Sequence, residues 1–78
     1  MKLLVRNLSR STTEQEIRQL FTAHGYVTEC TLVLDQATGK SKGFAFVEMP
    51  DEKEAAVALK SLHEKRIAKN KIRVKIAQ

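Results

Sequence analysis

Hydrophobic and polar positions recur along this chain with two periods. From Lys2 to Arg6 they alternate, with Met1, Leu3 and Val5 on one face and Lys2, Leu4 and Arg6 on the other, which predicts a strand. Thr13-Glu14-Gln15-Glu16 reads as a capping box, and Ile17, Leu20, Phe21 and His24 then recur at helical spacing until Gly25 ends the helix. Val27 to Leu34 is a second strand, with Cys30, Leu32 and Leu34 on one side and Thr31 and Val33 on the other. Residues 35–41 are turn material, and Lys42 to Met49 alternates again as a third strand. Pro50-Asp51 opens a second helix, whose early acids Asp51, Glu52 and Glu54 suit the helix dipole and whose stripe is Ala55, Ala58, Leu59 and Leu62. Lys71 to Ile76 is the last strand, with Ile72, Val74 and Ile76 inward and Lys71, Arg73 and Lys75 outward.

The order βαββαβ predicts an α+β, ferredoxin-like sandwich: a four-stranded antiparallel sheet in strand order 4-1-3-2 with both helices on one face. The helices then bury Leu3, Val5, Ala45, Val47, Ile72 and Val74. The opposite face stays open and presents Lys2, Leu4, Arg6, Phe44, Phe46, Arg73 and Lys75. In the third strand the small apolar set Gly43, Ala45, Val47 and Met49 faces the helices, while Lys42, Phe44, Phe46 and Glu48 face out. A strand buried on both faces would make both rings core, but Lys42 and Glu48 bracket them on their own side. Exposed rings beside cations suit stacked bases next to a phosphate backbone.

Composition narrows the classes. At 78 residues the chain is expected to be one small domain, residues 1–78, with no linker, repeat or low-complexity tract. The single Cys30 excludes an internal disulfide and reads as a packed small hydrophobe. Only three apolar residues separate Lys2 from Arg6, too few for a signal-peptide core, and no stretch reaches membrane-span length, so a soluble cytoplasmic protein is expected. The net charge is +5, and its distribution says more. Residues 1–13 carry Lys2, Arg6 and Arg10 without an acid, and residues 65–78 carry six cations without an acid. All nine acids lie between Glu14 and Glu64. Segregation of this kind points to a basic face for a polyanion and an acidic back, although charge alone also fits a generally solvated basic surface.

Lys42-Gly43-Phe44-Ala45-Phe46-Val47-Glu48-Met49 matches the octamer [KR]-G-[FY]-[GA]-F-V-x-[FY] at six of its seven specified positions. With residues equally common, such a match arises on the order of once in a million starting points. Leu3-Leu4-Val5-Arg6-Asn7-Leu8 matches the companion hexamer, and Asp35-x-x-Thr38-Gly39-x-Ser41-Lys42-Gly43 the loop before the third strand. On these motifs the whole chain resembles the RNA recognition motif family, and by its size the small single-motif RNA-binding proteins of bacteria. The resemblance implies that Phe46 stacks on a base, that Phe44 packs on sugars and an adjacent base, and that Lys42 contacts a phosphate. Three departures stand out. Leu4 occupies the hexamer position that is usually aromatic, which removes about 1–2 kcal/mol of stacking. Met49 replaces the last aromatic of the octamer at an inward position. Lys69-Asn70 stands where the family often has Gly-Arg, with Asn70 a candidate for the left-handed residue of that turn.

Other residues carry structural readings. His24 is expected to pack partly on the first helix, and His63 to place a cation or partial charge at the end of the second. Asn7 is expected to bond backbone at the strand–helix junction, while Tyr26 fits a packed or an exposed place equally well. One Cys and two distant His give no zinc spacing, and the loop after the first strand has neither the Gly-rich turn of a phosphate loop nor a Cys pair, so neither metal, cofactor nor catalysis is expected. The expected function is non-catalytic binding of single-stranded RNA, with low sequence specificity, by a monomer through Lys2, Leu4, Arg6, Lys42, Phe44, Phe46, Arg73 and Lys75. Single-stranded DNA is expected to bind more weakly, and membrane not at all. The alternative is a protein–protein interaction module on the same fold, favoured by the apolar Leu4 on the platform.

Overall fold

A computed structural model describes residues 1–77; Gln78, which the sequence reading places just after the last strand, lies outside the described residues. The elements in chain order are β1 (Lys2–Arg6), α1 (Glu14–Thr22), β2 (Glu29–Leu34), β3 (Ser41–Glu48), α2 (Glu52–Leu62), β4 (Arg66–Ile67), β5 (Asn70–Lys71) and β6 (Arg73–Ile76). The main sheet is antiparallel in the order β2-β3-β1-β6, so the two central strands are the two that carry the hexamer and the octamer. This is the predicted 4-1-3-2 order, with β6 as the fourth strand.

Both helices start where their capping residues dictate. Thr13 Oγ1 accepts from the Glu16 backbone N–H at 3.2 Å, while Glu16 Oε1 accepts from the Thr13 N–H at 2.8 Å. The Thr13 backbone and then its hydroxyl hold the Glu16 carboxyl below its ordinary pKa, by bonding to the charged form. Asp51 Oδ1 caps α2 by accepting from the N–H groups of Lys53 and Glu54. The core lies between the helices and one sheet face: Leu3 and Val5 of β1, Ala45 and Val47 of β3 and Val74 of β6 meet Ile17, Phe21, Ala55, Ala58 and Leu62. Burying each of the large side chains stabilises the fold by about 1.5–3 kcal/mol before entropy is counted. Met49 is fully buried in this core, as its inward position requires. Cys30 is buried too, and burial pushes its thiol pKa up.

Five local features differ from the sequence reading. The segment before the last strand forms a hairpin, β4–β5, in which Lys71 pairs with Arg66 rather than with the main sheet. Ala68 and Lys69, not Asn70, hold the positive φ angles of its turn (51° and 73°). Asn70 instead donates its side-chain amide to the Asn7 carbonyl. The alternation of β2 fails after Leu32, where the register shifts, so Leu34 is 48% exposed instead of sharing the buried side with Cys30. Ile76, expected inward, is 50% exposed on the edge strand β6. Helix α1 ends at Thr22 with Ala23 as its cap, and Gly25 is needed for a different reason: a Cβ there would lie 2.5 Å from Glu54. His63 lies at the end of α2, as read from the sequence, and there its Nδ1 accepts from the Val74 N–H at 3.1 Å. The other smaller readings stand: His24 is partly packed, Asn7 Nδ2 donates to the Lys71 carbonyl at 2.7 Å, and Tyr26 is exposed.

Candidate nucleic-acid interface

The face of the sheet away from the helices is uncovered, and strand register decides what lies on it. Thr31, Phe46, Leu4 and Lys75 are successive cross-strand partners on β2, β3, β1 and β6, so they form one row across the sheet. Arg6 pairs with Arg73 toward one end of β1, and Lys2 pairs with Glu48 toward the other. All of these point away from the core because their neighbours Leu3, Val5, Ala45, Val47 and Val74 are buried. Phe44, Phe46 and Leu4 are half-buried, whereas Lys2, Arg6, Lys42, Arg73 and Lys75 are exposed. The structure thus brings all eight predicted site residues to one surface.

The two rings are 6.2 Å apart between centroids and stand at 87° to each other. Perpendicular rings cannot both turn a face to the same approaching base. The Lys2 ammonium lies over the Phe46 ring, 5.2 Å from its centroid, so a cation already sits on a face of that ring. A base lying flat on Phe46 would meet the perpendicular Phe44 ring at a right angle, a geometry suited to a sugar or the rim of a base. A stacked base must move the Lys2 ammonium aside, and its flexible stem allows that.

Two features were not foreseen. Glu29 and Glu48 are cross-strand partners beside Lys2, and Glu48 pairs with the N-terminal ammonium of Met1 at 3.1 Å, so charges balance at the Lys2 end of the platform while the Arg6 end is basic. Their alternation within β2 and β3 was visible, but the pairing that joins them depends on register, which a bulge at the end of β2 obscures. The second is a solvent-open depression of about 570 Å³ beyond Phe44, between the β1–α1 loop, the start of β3 and Asn70. Its walls carry Arg6, Arg10 and Lys42. Gly43 makes it possible: its φ is +86°, and a Cβ there would come within 3.3 Å of the Leu8 carbonyl oxygen and 3.4 Å of Arg10 Nε.

Comparison with known proteins agrees with this geometry. The family model described as RNA recognition motif matches residues 3–73. The glycine-rich RNA-binding protein 4, mitochondrial, of Arabidopsis thaliana is 41% identical over 97% of this chain, which spans 56% of that relative. The glycine-rich RNA-binding protein 1 of Mycosarcoma maydis is 36% identical over 97% of this chain and 43% of its own length. The chain therefore spans about half the length of these curated relatives. Among solved structures, the RNA binding protein PG1 superimposes with a TM-score of 0.95 at 36% identity, over 99% of this chain and 93% of that one. The Sxl-lethal protein/RNA complex superimposes at 0.94 with 31% identity, over 99% of this chain and 46% of that one. These relatives are plant and fungal, one of them mitochondrial, and lend no support to a bacterial likeness or a cytoplasmic setting. The octamer, the hexamer, the sheet order and the family match agree: this chain belongs to the RNA recognition motif family.

Proposed function

We propose that this domain binds short unpaired RNA on its open sheet face, as a monomer and without catalysing a reaction. The observation that carries the reading is the pair of half-buried phenyl rings on an uncovered sheet, ringed by Lys2, Arg6, Lys42, Arg73 and Lys75. Two rings grouped beside cations on an open sheet suit a ligand that both stacks and carries negative charge. The names of its relatives and the RNA-bound structural neighbour support the same reading.

Phe46 stacks one base, Phe44 packs against a sugar and the next base, and Leu4 adds apolar contact without a π face. The cations neutralise phosphates and steer the strand, which enters over the basic end and keeps its backbone away from Glu29 and Glu48. About two to four nucleotides fit, so affinity is micromolar and sequence preference shallow. Single-stranded DNA, lacking the 2′-hydroxyl, binds more weakly. Shift mapping with a random-sequence short RNA tests the reading: amide signals of β1, β3 and β6 should move together. Shifts confined to the helices, or none, would remove it in favour of a protein-interaction surface.

A further inference from the structure

The depression beyond Phe44 lies outside the two-ring platform, yet it is continuous with it through Phe44 and Lys42. Three of its lining residues are cations and none is an acid. Arg10 is tied to the frame by a hydrogen bond. Its Nη1 donates to the Ser41 carbonyl at 3.1 Å, and its Nε lies against the backbone of Gly43, where no Cβ intervenes. A guanidinium has five donors in a fixed fork, so one bond orients the group and the others stay available to a ligand.

The frame around Arg10 is held by hydrogen bonds within the protein, most of them between residues far apart in sequence. The Leu8 N–H donates to the Gly43 carbonyl at 2.9 Å, and the Gly43 N–H to Ser41 Oγ at 3.0 Å. Across the mouth, Asn7 Nδ2 donates to the Lys71 carbonyl and Asn70 Nδ2 to the Asn7 carbonyl, which ties the β4–β5 hairpin to the end of β1. Asn7 itself has a φ of 59°, a conformation non-glycine residues rarely adopt and one that such a frame must hold in place. A hydrogen-bonded concavity lined without an acid and holding an oriented guanidinium suits a phosphate rather than a base. Its opening to solvent suits a chain passing through rather than an enclosed small molecule.

We propose that this depression holds the phosphodiester of one further nucleotide, beyond those on Phe46 and Phe44, with Arg10 as its main anchor and Arg6 and Lys42 as flanking charges. The proposal rests on the RNA-binding reading above and extends its footprint in one direction, toward the β1–α1 loop.

The test is fluorescence anisotropy with a short RNA that saturates the platform, then the same RNA lengthened by one nucleotide at either end, or by one abasic nucleotide. The parent protein should gain roughly threefold to tenfold in affinity from lengthening at one end only, and the abasic addition should give the same gain. Arg10→Gln should lose that gain, and its log–log salt slope should be shallower by about 0.7. Arg10→Lys should recover the slope. Thermal melting monitors the fold, and Arg10 is exposed, so melting of Arg10→Gln should match the parent. An undiminished gain in Arg10→Gln, or a gain that needs the added base, overturns the proposal. Phe46→Ala separates the two readings: binding lost there while Arg10→Gln behaves as parent overturns the depression alone, and binding unchanged in both overturns the platform as well.

Discussion

Leu4 offers the sharpest test of how the platform works, because one substitution there should add function rather than remove it. It is the direct cross-strand partner of Phe46 on one side and Lys75 on the other, half-buried on the open face. Cross-strand Cβ atoms lie about 4.5–5.5 Å apart, so a ring at position 4 would extend the Phe46 surface sideways toward β6. Leu4→Tyr puts an aromatic beside an aromatic on a solvent-facing row, a pairing worth about 0.2–1 kcal/mol to the sheet. Against that stands the loss of the leucine's own packing, so net stability should move by no more than about 0.5 kcal/mol. Binding gains a π face for a neighbouring base, about 1–3 kcal/mol by the usual worth of one stack. Some apolar contact was already present, so we expect about 1–2 kcal/mol, a fivefold to thirtyfold lower Kd. Equilibrium titration of parent and variant against one short RNA, with a melting curve for each, measures both quantities. Unchanged or weaker binding in a variant that melts like the parent would refute the reasoning, and a protein partner lost by the same variant would favour the interaction-module reading.

Two further outcomes follow from the geometry. Replacing Arg73 with Ala should weaken every RNA sequence about equally and flatten the log–log salt dependence by about 0.7, one phosphate's share on a single strand; a salt-independent affinity in the parent would exclude a charge-lined surface. Glu16 has a folded-state pKa below its unfolded value, so the capping box adds stability that is present above the unfolded carboxylate range and lost as pH falls through the folded value. A Glu16→Gln variant should therefore show a smaller drop in melting temperature on acidification than the parent, and an identical drop would refute the cap's contribution.

Much of this molecule is legible in its sequence because two simple periods and a few turn residues determine it. Alternation in β1 and β3 assigned Phe44, Phe46 and Leu4 to the open face, and the capping box at Thr13 and the Pro50-Asp51 start located both helices, although Asp51 was read as an early helical acid rather than as the cap it is. What escaped has a shared cause. The β4–β5 hairpin turns on Ala68 and Lys69 in left-handed conformations, and neither residue type advertises that geometry. The exposure of Leu34 follows from a register shift, which no alternation pattern announces. His63 accepts from an edge-strand amide, a contact between residues eleven apart that only tertiary packing creates. The depression around Arg10 escaped for the same reason. Its sequence signal was Gly43, which the octamer specifies, but the reason for that glycine is the approach of Leu8 and Arg10 from another loop.

The central claim is that the rings on the open sheet face exist to hold bases rather than to support the fold. Phe46→Ala tests it most directly, because the ring is half-buried on the uncovered side, away from the core packed between sheet and helices. Measured together, RNA affinity and thermal stability should separate: binding should weaken by about 1–3 kcal/mol while the melting curve stays close to the parent's. A variant that unfolds, or one that stays folded and binds RNA as tightly as the parent, would contradict the account.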